Sequence, residues 1–276
     1  MKPSIRVIVN ADDYGYFACV SRGILACHRD GLVTATGVMA NGPRFDETVA
    51  WLAQAPELDL GVHLNLSLGR PLTAALAAAP GLRDGAFDGK FAALAALASG
   101  RWPLDRVAAE WRAQIERCRA AGLRLCFLNS HEHVHMWPAL WRVARALGDE
   151  FGIPHLRRVR PEWQGMQGWL RNLALGLVSM RVPDAAEPRF LGLAASGRLD
   201  EAAVRRALGG LAAGGVYELM CHPGDDDATE LDAPHLRTYH AWTLERQTLC
   251  APGLRAWCAE QGIVPCGYRD LDPGRW

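Results

Sequence analysis

Lysine is almost missing from this sequence: Lys2 and Lys90 are the only two. The basic charge is therefore nearly all arginine, and Lys+Arg balances Asp+Glu at 30 each. A chain with zero formal net charge has no general attraction for nucleic acid or another polyanion. No stretch approaches the ~18 uninterrupted apolar residues of a membrane span. The apolar run at residues 5–9 has Arg6 inside it and is too short for a secretory signal. The nucleotide-binding patterns G-x-G-x-x-G and G-x-x-x-x-G-K-[ST] and the nucleophile elbow G-x-S-x-G are all absent. Eight cysteines are scattered without a C-x-x-C pair, so reduced, mostly buried thiols and a cytoplasmic setting are expected.

What is present suits a folded enzyme. The chain has 276 residues, half of them hydrophobic and 22% charged. That length accommodates one large α/β domain over residues 1–276, and no linker, repeat or low-complexity tract forces a cut. Apolar, β-branched runs at 5–10, 34–40, 58–66, 123–128, 155–159, 216–220 and 264–268 read as strands. Segments 17–29, 45–54, 104–121, 138–151, 166–180, 199–213 and 239–260 read as helices. Strands alternating with helices predict a mainly parallel sheet covered by helices, as a barrel or doubly wound. Residues 69–103, rich in Gly, Pro and Ala, are expected to be a less regular insertion.

The polar clusters fall at the C-terminal ends of predicted strands. In parallel α/β folds those ends share one face, where active sites lie. Asp12-Asp13 closes the first strand; two adjacent carboxylates there call for a cation or proton, or else serve as a turn or helix cap. His63 lies in an apolar strand, a place more usual for a satisfied core residue. His131-Glu132-His133-Val134-His135 puts three imidazoles in five residues, a pattern suited to metal binding. It also matches H-E-x-x-H, which works only on a helix. Here a strand feeds it and Pro138 follows it, so an extended chain with 131, 133 and 135 on one side is expected. His222 precedes Pro223-Gly224 at the end of another strand. The Arg157-Arg158-x-Arg160 run reads as a solvated edge, and His240 stands apart from every cluster.

Asp, His, His and an open coordination position make a hydrolytic metal site. The metal polarises a carbonyl and acidifies its bound water, a second carboxylate takes the proton, and a histidine protonates the leaving group. Asp12, Asp13, His63, His131 and His222 supply these parts for an amide or ester substrate.

The motifs Asn10-Ala11-Asp12-Asp13-Tyr14-Gly15, Gly61-Val62-His63, Asn129-Ser130-His131-x-His133-Val134-His135-Met136 and Met220-Cys221-His222-Pro223-Gly224 resemble those of the YdjC-like carbohydrate deacetylases. That group includes chito-oligosaccharide and hopanoid-biosynthesis deacetylases, and Tyr268-Arg269-Asp270 is also similar. The resemblance implies a distorted (β/α) barrel of the polysaccharide-deacetylase type. It implies a hydrolase that removes acetyl from an N-acetylated amino sugar with one divalent ion, Zn²⁺ or Mg²⁺, and a homodimer. Asp13, His63 and His131 then match metal ligands, Asp12 the base and His222 the acid. His133, His135, Asn65 and Tyr14 are expected around the substrate. Glu132 stands where chito-oligosaccharide enzymes often have His. The competing readings are a zinc metallopeptidase using His131, Glu132 and His135, and a non-catalytic metal- or sugar-binding barrel.

Overall fold

The computed structural model describes residues 4–162, 169–182, 188–231, 234–272 and 274. Its elements in chain order are β1 (Ile5–Tyr14), α1 (Ala18–Asp30), β2 (Ala35–Val38), α2 (Phe45–Thr48), β3 (Asp59–Leu64), α3 (Ala74–Ala77), α4 (Gly89–Ala98), α5 (Leu104–Ala120) and β4 (Leu125–Ser130). There follow α6 (Pro138–Phe151), β5 (His155–Leu156), α7 (Trp169–Ser179), β6 (Arg189–Leu191), α8 (Glu201–Leu208), β7 (Val216–Cys221), α9 (Pro234–Tyr239), α10 (Trp242–Leu249), α11 (Pro252–Glu260) and β8 (Ile263–Pro265). The expected helix at 166–180 begins at Trp169, residues 166–168 lying outside the described residues. The single helix expected at 239–260 is instead α10 and α11, with α9 ending at Tyr239, and Pro252 starts the second of the two at its first turn.

All strand pairings are parallel, in the order β5-β4-β3-β2-β1-β7-β6, with β8 added beside the start of β1. The sheet curls. Four strand spacings of ~4.8 Å separate β5 from β1, roughly 19 Å if flat. Yet Arg157, just after β5, reaches Asp12 on β1 and Glu218 on β7 with one side chain. The same guanidinium lies 5.2 Å from the Phe190 ring of β6. The two edge strands, which share no ladder, are thus bridged by side chains across an incomplete barrel.

The period of two decides which residues enter the barrel. Ile8, Ala35, Phe127 and Tyr268 form a small inner cluster, with Phe127 stacked on Tyr268 at 4.3 Å. Gly61 is required opposite them: a Cβ there would lie 2.6 Å from the Phe127 ring. The other strand faces pack against the helices in the main core, with Val7, Val9, Val62 and Leu64 all buried. The 69–103 stretch is more ordered than its composition suggests. Glu110 of α5 accepts from the Leu72 and Thr73 backbone N–H groups and the Thr73 hydroxyl. Trp102, fully buried, donates to the Pro80 carbonyl and packs edge-on to Phe87.

Candidate active site

Alternation along β1 would send Asp12 and Asp13 to opposite faces. They share one because Asp13 is left-handed (φ 72) where the β1–β2 register slips between Ala11 and Tyr14. Asp is among the few residues that tolerate this conformation, and the bulge re-aims its side chain. Both carboxylates are buried.

Two imidazoles converge on Asp13. Its Oδ1 lies 2.9 Å from His131 Nδ1 and 3.2 Å from His63 Nε2. The candidate donor atoms of Asp13, His63 and His131 all lie within 4.8 Å of one another. Asn129 fixes the tautomer of His63. Its Nδ2 donates to Asp12 Oδ1 at 2.9 Å, so its Oδ1 must accept from His63 Nδ1, at 2.8 Å. Bonded in this way, His63 turns its Nε2 toward the Asp13 carboxylate, 3.2 Å away. Two imidazoles and a carboxylate whose ligand atoms lie this close together are a suitable donor set for a divalent cation. Burial would raise the Asp13 carboxyl, but the His131 and His63 rings outweigh it and hold it well below the usual carboxylate range. Burial would correspondingly lower His131, but Asp13 raises it. The pair is built to share a positive charge. Gly37 forms the floor, where a Cβ would come 3.0–3.1 Å from Asn129 Oδ1 and His63 Nδ1.

Asp12 is held differently. Arg157 Nη1 and Nη2 bind its two oxygens at 2.6 and 2.8 Å, and Arg157 Nε binds Glu218 at 2.7 Å. Burial alone would raise Asp12; Arg157 and His63 overcome it and bring the carboxyl down to about 2. Asn10 completes the base of the network by donating to Glu218. The solvated edge expected at 157–160 is therefore corrected at its first residue, which is 2% exposed. Only curling of the sheet buries it.

His222 is buried at the end of β7, and its Nδ1 has no partner among the described residues. Glu245 of α10 anchors its loop by accepting from the His222 and Leu199 backbone N–H groups. The His240 ring lies 5.0 Å from that of His222.

The 131–136 segment is neither extended nor a regular helix. Glu132 (φ 52) and His133 (φ 58) are left-handed and split the three imidazoles. His131 turns to Asp13. His133 packs edge-on to Phe190, with its Nδ1 unpartnered among the described residues. His135 turns inward between Ser130 Oγ and the Arg157 carbonyl. Two left-handed residues also break the helix that an H-E-x-x-H metal site needs, and Glu132 pairs with Lys90 at 3.1 Å.

The structure does not bring Tyr14, Asn65 or His135 to the open side of the site. All are fully buried with internal partners. The Tyr14 hydroxyl donates to the Thr48 carbonyl, and Asn65 bonds Asn41, Leu68 and Ser67.

The model of the YdjC-like protein family matches residues 6–260. The chain belongs to this family. A carbohydrate deacetylase of Mus musculus is 31% identical, covering 99% of this chain and 97% of its own. A chitooligosaccharide deacetylase of Serratia marcescens is 32% identical, covering 96% and 98%. Among solved structures, a candidate cellobiose-phosphate cleavage protein of Enterococcus faecalis V583 superposes with a TM-score of 0.75 at 27% identity. It covers 97% of this chain and 99% of that one. The curled parallel α/β sheet and the family are thus as the motifs imply.

Proposed function

We propose that this chain is a metal-dependent hydrolase that removes acetyl from an N-acetylated amino sugar. One observation carries the reading: His63 Nε2 and Asp13 Oδ1 face each other at 3.2 Å beside His131, with a second carboxylate, Asp12, next in sequence. Asp13, His63 and His131 would hold one divalent ion. Their softness suits Zn²⁺, and the family resemblance also admits Mg²⁺. When bound, the ion supplies a Lewis acid that polarises the acetamide carbonyl and lowers the pKa of a water toward ~7.

The chain's own groups do the rest. Asp12 is the base. It stays ionised at neutral pH, and Arg157 and Asn129 fix its plane, so no side-chain search precedes proton transfer. His222, with a nitrogen unpartnered among the described residues, delivers a proton to the leaving amine. His133 borders the substrate, whereas Tyr14, Asn65 and His135 hold the walls in place. The names of the relatives from Mus musculus and Serratia marcescens support a sugar substrate. One continuous sheet supports reading residues 1–276 as a single domain.

The test is acetate release from N-acetylated mono-, di- and trisaccharides by metal-stripped protein refilled with Zn²⁺ or Mg²⁺. Asp12→Asn is expected to keep its metal and lose about 10²–10⁴-fold in kcat, the usual contribution of a general base. Wild-type turnover by Asp12→Asn, or release that survives chelation, would overturn the reading.

A further inference from the structure

Helix α7 carries its side chains the wrong way round for water. Of its described side chains, the two polar ones face inward. Asn172 is buried and donates to the Glu162 carbonyl at 2.6 Å; Ser179 is buried and its hydroxyl donates to the Val159 carbonyl at 3.4 Å. Leu173 and Leu177 are 40% and 55% exposed. Met180, which continues the helical bonding by donating to the Gly176 carbonyl, is 77% exposed. The spacing i, i+4, i+7 puts these three on one stripe. Leu175 and Val178 already pack against the core, so the outer stripe is surplus to what seats the helix. A helix facing only water shows polar residues there, and exposed apolar surface of this kind marks an interaction site.

A cleft of about 380 Å³ opens beside the stripe, between α6 and the turn after α7. Pro138, Trp141, Arg142, Arg145 and Asp149 line it from α6, and Arg181 from the other side. Arg145 is engaged, donating to Asp149 at 2.9 Å and to the Pro154 carbonyl at 3.2 Å. Arg142 and Arg181 are exposed and have no side-chain partner among the described residues. Two uncompensated guanidiniums thus share the cleft with the Trp141 and Pro138 rings. Arg181 follows Met180 of the stripe, and Trp137, 39% exposed, precedes Pro138.

This combination selects an occupant. Apolar side chains next to free cations match a bilayer with anionic headgroups, whose acyl region takes the stripe and whose phosphates take the guanidiniums. A second copy of the chain fits less well. A twofold contact through this face would set Arg142 and Arg181 near their own copies, while Asp149, the acid lining the cleft, is already paired. No helix among the described residues is long and apolar enough to cross a membrane, so the contact would be peripheral.

We propose that the α7 stripe and the Arg142–Arg181 cleft dock this protein on the surface of an anionic phospholipid bilayer. The docked face borders the reaction site: α7 lies against the 131–136 turn that carries His131, and Trp141 stacks on His135 at 6.1 Å. Docking does not depend on the deacetylase reading and is measured without turnover.

The full chain is sedimented at low salt with vesicles of phosphatidylcholine alone, or of three parts phosphatidylcholine to one part phosphatidylglycerol. Partition onto the mixed vesicles is expected to be at least tenfold stronger and to weaken as salt rises. Arg142→Gln with Arg181→Gln is expected to lose about tenfold or more of it, and Leu177→Gln several-fold at constant charge. All three positions are exposed, and an unchanged urea midpoint reports that the variants are folded. Equal partition onto both vesicles, none onto either, or full partition by the variants would overturn the proposal. So would inorganic phosphate bound in calorimetry without vesicle binding, which would make the cleft a site for a free anion. A dimer in light scattering that Leu177→Gln splits would overturn it too, as the stripe would then be a contact between copies.

Discussion

The guanidinium of Arg157 grips both oxygens of Asp12, at 2.6 and 2.8 Å, from the opposite side of the barrel. It lies between two buried carboxylates, since its Nε also binds Glu218. Arg157→Met would leave both without their partner. The expected loss is about 3–5 kcal/mol of folding stability, the range for breaking a buried pair, read from urea denaturation. A loss under about 1 kcal/mol, the value of an exposed pair, would mean that water reaches this cluster.

Asn129 touches both carboxylate systems, donating to Asp12 and accepting from His63. Removing it frees the His63 ring to rotate and to change tautomer. Asn129→Leu is expected to weaken metal binding about 10–100-fold, as for other residues that orient a ligand, with all three candidate ligands intact. Competition with a chromogenic chelator measures it; unchanged affinity would show that His63 needs no such support.

His135 gives the protein a defined acid sensitivity. Burial keeps the imidazole neutral and pushes it down to about 3, although its bond to the Arg157 carbonyl pulls the other way. In the unfolded chain the same ring takes a proton near 6.5. The folded state therefore has its full stability above that pH and loses it as the pH falls toward 3. The slope from this residue is about 1.4 kcal/mol per pH unit. His135→Gln should flatten the stability profile between pH 6 and pH 4 by about that slope. An unchanged slope would mean that His135 titrates alike in both states.

Glu132 separates the two metal-hydrolase chemistries. It sits in a left-handed turn with its carboxylate on Lys90. Glu132→Gln is expected to cost no more than about 1 kcal/mol of stability, as for a partly exposed pair, and to keep acetate release within the same order of magnitude. A fall approaching the 10²–10⁴ of a lost general base would revive the metallopeptidase reading.

The strand ends were legible in the sequence because parallel strands must present them on one face. Asp12, Asp13, His63, His131 and His222 follow from that alone, and the structure gathers the first four around one point. What a period of two cannot convey is a departure from it. Asp13 joins Asp12 only through a left-handed residue, and a second left-handed pair sends His131, His133 and His135 three separate ways. Arg157 and Glu245 were invisible for another reason. Each becomes a site residue through a partner far along the chain: Arg157 through Asp12 and Glu218, Glu245 through His222. The one available signal was Arg157 directly after an apolar strand in a barrel whose interior already held unpaired acids.

Tyr268 belongs to the last turn of the described chain, beyond residue 260 where the family match ends. Its ring fills the barrel against Phe127, and its hydroxyl reaches Asn10 under the Glu218–Arg157–Asp12 network. The candidate site thus has a keystone supplied by the last turn of the described chain. Shortening the chain before β8 would remove a strand beside β1 and open the barrel from beneath, unsettling the acid pair without touching a residue that reacts.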